Sequence, residues 1–438
     1  MLNILAVTSP GDGHVNPMLA IVATLVLRGH RVTWYSGRAY RDRVERVGAT
    51  FLPMTAGYDY GGLNREQAFP DNAKLRGVAG MVAGFRDAFL DTAPGYLRDL
   101  TDFVDATPVD VMITDETSFA AGLLGELRGI PVVWVSTSIY ILSSRDTAPL
   151  GLGLAPSASA VGRLRNRVLG EVANRVVLRE LRRAGSLLRE RVGLTALPRG
   201  AFENIVDHPR LYLMGTVPSF EYPRSDLLPQ VEFVGSVTTP GPADYDTPSW
   251  WGELTGIRPV VHVTQGTIAD DASHLLVPAI RALAGLDVLV VVTTGVPPEQ
   301  LDLGPRPGNV VVERFVPHAL LLPHVDVMVT NGGYGGVNTA LSHGVPLVIA
   351  AATEEKHEVA AHVAWSGAGL RVRRSGRFEP RLRRAVRRVL DEESFRRRAH
   401  ALRAEFARLS GPERAADRVE ELDVAARGSR DELSRGGG

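Results

Sequence analysis

The 438-residue chain contains no cysteine. Without thiols there is no disulfide, no thiolate nucleophile and no cysteine-built zinc or iron–sulfur site. Net charge is missing as well, since 49 Lys and Arg balance 49 Asp and Glu. That balance argues against a partner that is nucleic acid, because proteins that track nucleic acid by their overall field carry a basic excess. No apolar run approaches the roughly 18 residues of a membrane span. The opening MLNILAVTSPGDGH is a short apolar stretch that breaks at a glycine turn, unlike a signal peptide. The expectation is a cytoplasmic chain with no stable membrane insertion, as monomer or homodimer. Lysine is nearly absent: Lys74 and Lys356 are the only two among 49 basic residues. Single arginines therefore carry little information, and a lysine carries more.

What is present is a repeating strand–turn–helix pattern. Leu2 to Val7 is apolar, Ser9-Pro10-Gly11-Asp12-Gly13 turns, and apolar residues from Met18 to Leu27 recur at helical spacing before a strand at Arg31 to Tyr35. This is a βαβ unit, which implies a parallel sheet covered by helices. Strands are expected again at Val109 to Thr114 and Pro131 to Ser136, around a helix near Ser118 to Arg128. A second series is expected at Pro259 to Val263, Leu286 to Thr293, Val310 to Val312, Val325 to Thr330 and Val345 to Ala350. Two such series make an α/β chain with two doubly wound domains, joined by the Pro-, Asp- and Thr-rich stretch from Thr238 to Pro248. Val161 to Val192, with nine Arg at helical spacing, reads as a solvated helix or, alternatively, one that meets a membrane surface or an acidic partner.

Chemistry concentrates where strands end, because open α/β sheets bind ligands at their carboxyl edges. His14 lies in Gly11-Asp12-Gly13-His14, just after the first strand. The third glycine of a dinucleotide fingerprint is replaced by Asn16, and no acid ends the second strand, so a hydride-transfer reading fails. An imidazole on that edge suits a general base. Asp115 ends the Val109 to Thr114 strand and either orients that imidazole or caps the next helix. The strongest local signal is Asn331-Gly332-Gly333-Tyr334-Gly335-Gly336, between a strand and a helix, where bare backbone and a helix N-terminus suit a diphosphate. The Gly-Lys-Ser/Thr of a P-loop is absent. Gly266 and Thr267, after the first strand of the second series, either add donors or form an N-cap. Glu355 and Lys356, after the strand at 345–350, either contact sugar hydroxyls or begin a charged helix. No metal site is expected, since His357 and His362 with their neighbouring glutamates lack H-E-x-x-H spacing.

Taken in order, Pro10 to Pro17, Phe233-Val234-Gly235, Phe315-Val316-Pro317-His318 through His324, and Thr330 to Gly333 through Gly344-Val345-Pro346-Leu347 resemble a GT-B fold glycosyltransferase. The resemblance is to family 1, the UDP-glycosyltransferase superfamily, in its bacterial natural-product and macrolide branch, and it spans about residues 1 to 425. It implies two Rossmann-like domains facing a central cleft. Residues 1–237 would bind the acceptor, 238–250 would link, and 251–411 would bind the nucleotide sugar. A helix over 412–427 would cross back to the first domain, before a disordered tail at 428–438. By this resemblance His14 is the base, Asp115 its acidic partner, and the reaction an inverting, metal-independent transfer. No cofactor is implied, only a dTDP- or UDP-linked sugar as co-substrate and a small hydroxylated acceptor. Phe315, Val316, His318 and Thr339 would meet the nucleoside, Glu355 and Lys356 the sugar.

Four departures from the family pattern stand out. Asn331 replaces the usual His of the diphosphate loop, and Gly336 replaces its Ser or Thr. Thr339 replaces the Glu that holds ribose hydroxyls, which leans toward dTDP. Glu355-Lys356 replaces an Asp-Gln pair, which points to an unusual sugar. Among acceptor walls, Tyr58, Phe85, Phe89 and Tyr140 are the main candidates, with Tyr60, Phe69 and Met81 beside them. Alternatives are a GT-B enzyme acting on a lipid or cell-envelope acceptor, a nucleotide-sugar epimerase, or a non-catalytic nucleotide-sugar-binding partner.

Overall fold

The computed structural model describes residues 1–238, 245–266, 271–351 and 354–422, without the side chains of Glu354 and Glu355. Seven strands, β1 (Asn3–Val7), β2 (Arg31–Ser36), β3 (Thr50–Pro53), β4 (Val111–Asp115), β5 (Val132–Val135), β6 (Leu211–Met214) and β7 (Val231–Phe233), form one parallel sheet ordered β3-β2-β1-β4-β5-β6-β7. Six more, β8 (Val260–Thr264), β9 (Leu289–Thr293), β10 (Val310–Glu313), β11 (Val327–Thr330), β12 (Leu347–Ile349) and β13 (Gly369–Arg371), form a second parallel sheet ordered β10-β9-β8-β11-β12-β13. These are two Rossmann-like units. The chain direction across each sheet reverses once, between β1 and β4 and again between β8 and β11.

The strands are apolar on both faces because helices cover both. In β1, Leu5 and Val7 join one core with Tyr35, Met112, Phe119 and Tyr212, while Ile4 and Ala6 join the other with Trp34, Ile113 and Val133. That alternation is the two-residue period of a strand. Pairing is in register: Val7 lies beside Tyr35 on one side and Thr114 on the other. Strands β3, β6 and β13 went unread in the sequence, being three or four residues long with no alternation to mark them.

The final described helix, residues 411–422, packs on the first sheet's outer layer, burying Ala415, Ala416 and Val419 with Val22 and Leu25. Arg28 reaches Asp417 at 2.7 Å and Glu420 at 3.0 Å, and His30 reaches Glu420 at 2.7 Å. Part of the expected linker, 239–244, and the chain from 423 onward lie outside the described residues. The arginine-rich stretch folds as two helices, Ala160–Val172 and Arg179–Arg191, joined by a π turn at Ala173–Val177. One of its arginines is structural: Arg189 is buried and forked onto Glu126 at 2.7 and 2.8 Å. Among the described residues no helix is long and apolar enough to cross a membrane.

Candidate active site

The reversal between β1 and β4 leaves a crevice at their carboxyl ends, and two of the sequence-predicted residues meet there. His14 stands in the first turn of the Asp12–Leu27 helix, and Asp115 is the last residue of β4. His14 Nδ1 is 3.2 Å from Asp115 Oδ1, with the imidazole 21% exposed and the carboxylate wholly buried. Asp115 does not cap the next helix, which begins at Phe119 with Ser118 as its N-cap. It instead accepts the Ser9 N–H at 2.8 Å, the Thr117 N–H at 2.9 Å and the Ser118 hydroxyl at 2.7 Å. Burial opposes its ionisation, but the His14 charge and these donors outweigh burial and hold Asp115 well below the usual carboxylate range. Sequence reading missed Ser9, Thr117 and Ser118, whose signal was a run of short hydroxyl residues around the two strand ends.

Glu116, also missed, is buried beside Asp115. It accepts the Thr137 N–H at 3.0 and 2.9 Å and the Thr137 hydroxyl at 2.9 Å. Burial and then repulsion by Asp115 push it up to about 7.

An aromatic chain leads away from the imidazole. The Phe89 ring centroid is 5.5 Å from His14, Phe85 is 5.1 Å from Phe89, and Phe202 is 4.8 Å from Phe85. Phe85 and Phe89 are thus brought to His14. Met81 packs half-buried against the same core. Tyr58, Tyr60 and Phe69 form a separate group with centroids 5.3 to 6.2 Å apart, beside a depression of about 360 Å³ lined by Tyr58, Phe69, Asp87, Asp91 and Thr92. Tyr58 is exposed and donates its hydroxyl to the Ala68 carbonyl at 2.9 Å. Tyr140 stands apart from His14 and Phe89: it is only 4% exposed, stacked on Tyr212 at 5.8 Å beneath the Arg224 guanidinium at 4.6 Å. It belongs to the buried core against which Phe85 and Phe89 also pack.

The second sheet's reversal carries different chemistry. After β8, Gly266 turns with φ +84, and after β11, Gly332 turns with φ +90. The two turns touch, since the Asn331 side-chain amide donates to the Gln265 carbonyl. Gly332 has no room for a side chain: a Cβ would stand 2.8 Å from Ile349 Cγ2 and 3.3 Å from the Lys356 carbonyl oxygen. The same contact brings the Lys356 backbone against the loop. Gly333 precedes the Tyr334–Ser342 helix as its N-cap residue. Among the described residues, a Cβ on Gly335 would meet nothing within 4 Å, and one on Gly336 only Met328 Cε at 3.8 Å. No described side chain crowds the first turn of the helix at these two glycines. Tyr334 itself is buried, so it offers the loop only its backbone. Thr267 and the side chain of Glu355 lie outside the described residues.

Of the expected nucleoside positions, Phe315 is 59% exposed while Val316 is buried and can present only main chain. His318 packs edge-on to His262 at 5.4 Å, and burial pushes it down to about 4, so it is neutral at pH 7. The Thr339 hydroxyl donates to the Gly335 carbonyl at 2.8 Å within its own helix. Among the described residues no group of three His, Asp or Glu is placed to hold a metal ion.

Comparison with known proteins identifies the family. Residues 278–422 match the family model described as erythromycin biosynthesis protein CIII-like, C-terminal domain. The 4'-demethylrebeccamycin synthase of Lentzea aerocolonigenes is 59% identical over 419 residues, covering 96% of this chain and 99% of that one. Among solved structures, the calicheamicin glycosyltransferase CalG4 superposes with a TM-score of 0.75 at 22% identity, covering 96% of this chain and 98% of its own. The glycosyltransferase VinC, solved in complex with dTDP, superposes at 0.66 with 23% identity, covering 97% and 100%. The chain belongs to the family 1 GT-B glycosyltransferases of the erythromycin CIII-like type, enzymes of bacterial natural-product biosynthesis.

Proposed function

We propose that the chain is an inverting glycosyltransferase that moves a sugar from a dTDP- or UDP-sugar to a hydroxyl of a small, largely apolar acceptor. The observation that carries this reading is the His14–Asp115 contact of 3.2 Å at the first sheet's reversal, with Phe89 beside it. With Nδ1 turned to the carboxylate, that nitrogen holds the resident proton and Nε2 is the base. Nε2 takes the acceptor hydroxyl proton as the oxygen attacks the anomeric carbon. The bond to the diphosphate oxygen breaks on the opposite face, so the configuration inverts. Asp115 stabilises the imidazolium that forms, and the four neutral donors around it, the Thr117 hydroxyl among them, keep it ionised while it does so.

The leaving diphosphate is received by the Gly333–Gly336 backbone and the helix N-terminus behind it. Asn331 supplies no charge there; its amide is spent bracing the Gln265–Gly266 turn. A dTDP donor is favoured because position 339 offers a hydroxyl already bonded to its own helix and no carboxylate for a ribose 2′-hydroxyl. A dTDP complex is also known for the similar VinC. The 59% identical relative is named a 4'-demethylrebeccamycin synthase, which supports a natural-product acceptor here.

The test is a panel of α-linked dTDP- and UDP-sugars with apolar polyhydroxylated acceptors, with product stereochemistry read by NMR. A β-glycoside supports the reading. Retention of the α configuration, or donor conversion that needs no acceptor, contradicts it.

A further inference from the structure

The helix that presents the diphosphate loop is tied to the other domain by a buried hydrogen bond. Thr216, two residues beyond β6 of the first sheet, donates its hydroxyl to Asn338 Oδ1 at 2.6 Å across 122 residues of sequence. Both residues are buried, at 0% and 3% exposure. Asn338 Nδ2 donates to the Tyr334 carbonyl at 3.1 Å, and Tyr334 is the first residue of that helix. A carbonyl only accepts, so the amide orientation is fixed: nitrogen to Tyr334, oxygen to Thr216. The Tyr334 ring packs into the same boundary, its phenol held well above the usual range by burial and then by Glu221, near the hydroxyls of Thr216 and Ser136. Ser136 in turn accepts the Gly215 N–H at 2.9 Å, fixing the backbone that carries Thr216.

We propose that Asn338 is a positioning residue for the diphosphate loop, and that Thr216 of the acceptor-side domain sets its orientation. The inference rests on the donor reading given above. Within it, the first turn of the Tyr334–Ser342 helix is aimed by a contact from the opposite domain, so the backbone N–H groups at Gly335 and Gly336 are directed only when the two domains are seated together. Removing the Thr216 hydroxyl leaves the Asn338 oxygen buried without its donor. The amide then turns or draws away, and the Tyr334 carbonyl loses its second partner.

The experiment compares dTDP binding by calorimetry and steady-state kinetics for wild type, Thr216→Val, Thr216→Ser, Asn338→Leu and the Thr216→Val/Asn338→Leu pair. Thr216→Val is expected to weaken dTDP binding by about 5- to 30-fold, the range of a lost buried partner. The donor KM should rise in step while kcat at saturating donor stays within about threefold, as for lost ground-state binding. Thr216→Ser, which keeps the hydroxyl, should bind as wild type, and Asn338→Leu, expected to weaken dTDP binding over the same range, carries the test if the valine variant folds poorly. The double variant should be no weaker than Asn338→Leu alone, because the two residues act through one bond. Wild-type affinity in Thr216→Val, or losses that simply add, would overturn the inference alone. A wild-type protein that binds neither dTDP nor UDP would overturn the donor reading and this inference with it.

Discussion

The molecule builds the same crevice twice and fills it differently. Between β1 and β4 the strand ends carry ionisable side chains: His14, Asp115 and Glu116, packed so that Asp115 is held low and Glu116 is raised. Between β8 and β11 the strand ends carry Gly266, Asn331, Gly332 and Gly333, with no charged side chain among them. One topology therefore supports two tasks. In the proposed reaction a proton is moved where side chains converge, and an anion is received where they are removed so that backbone amides and a helix dipole can reach it. The fold supplies the crevice and the residue choice supplies the chemistry.

The comparison breaks most visibly at the first crevice. Asp115→Asn keeps the shape but leaves the imidazolium unsupported. The rate of transfer should fall by about 10²–10⁴-fold, the scale of general-base catalysis, with dTDP affinity unchanged by calorimetry. At the second crevice the counterpart is steric. Gly332→Ala puts a methyl 2.8 Å from Ile349 Cγ2 at a φ of +90. It should cost about 1–3 kcal/mol in a denaturant melt and weaken donor binding too. Gly335→Ala, with open space around its Cβ, should melt like wild type and lose only donor affinity.

A third expected effect is pH-dependent. Glu116 is raised from an ordinary 4.5 to about 7 by burial and by Asp115. Its contribution to stability is therefore fully present below about 4.5 and is lost as pH rises through about 7. Asp115 runs the other way: its contribution holds above its ordinary value and is lost as pH falls below it. Melting temperature measured between pH 5 and pH 8 should show Glu116→Gln gaining on wild type as pH rises. A parallel shift at all pH values would mean Glu116 does not titrate there. The smallest effect is expected at Tyr140→Phe. That ring is core, so activity should change less than twofold, whereas Phe89→Ala, beside His14, should raise the acceptor KM.

Much of this was legible in the sequence, and the reason differs by element. β1, β4, β8 and β11 are apolar runs of four or five residues bounded by turns, so both crevices and the residues closing them could be read directly. His14 and Asp115 are 101 positions apart, and only the pairing of Val7 with Thr114 places them at one edge. What stayed hidden depended on tertiary context. Tyr140 reads as a wall residue until Tyr212 and Arg224 close over it. Glu116 gives no signal in the sequence, and its role rests on Thr137, which donates to both its oxygens. Asn331 departs from the family pattern, and its structural use, bracing the Gln265 carbonyl, depends on a turn 66 residues away.

The division of labour between the two crevices is tested most directly by His14→Ala, measured for turnover and for dTDP affinity on the same preparation. The account predicts turnover lower by about 10²–10⁴-fold with a dTDP Kd within twofold of wild type. Turnover that survives the substitution, or a Kd that rises in proportion to the lost rate, would contradict it.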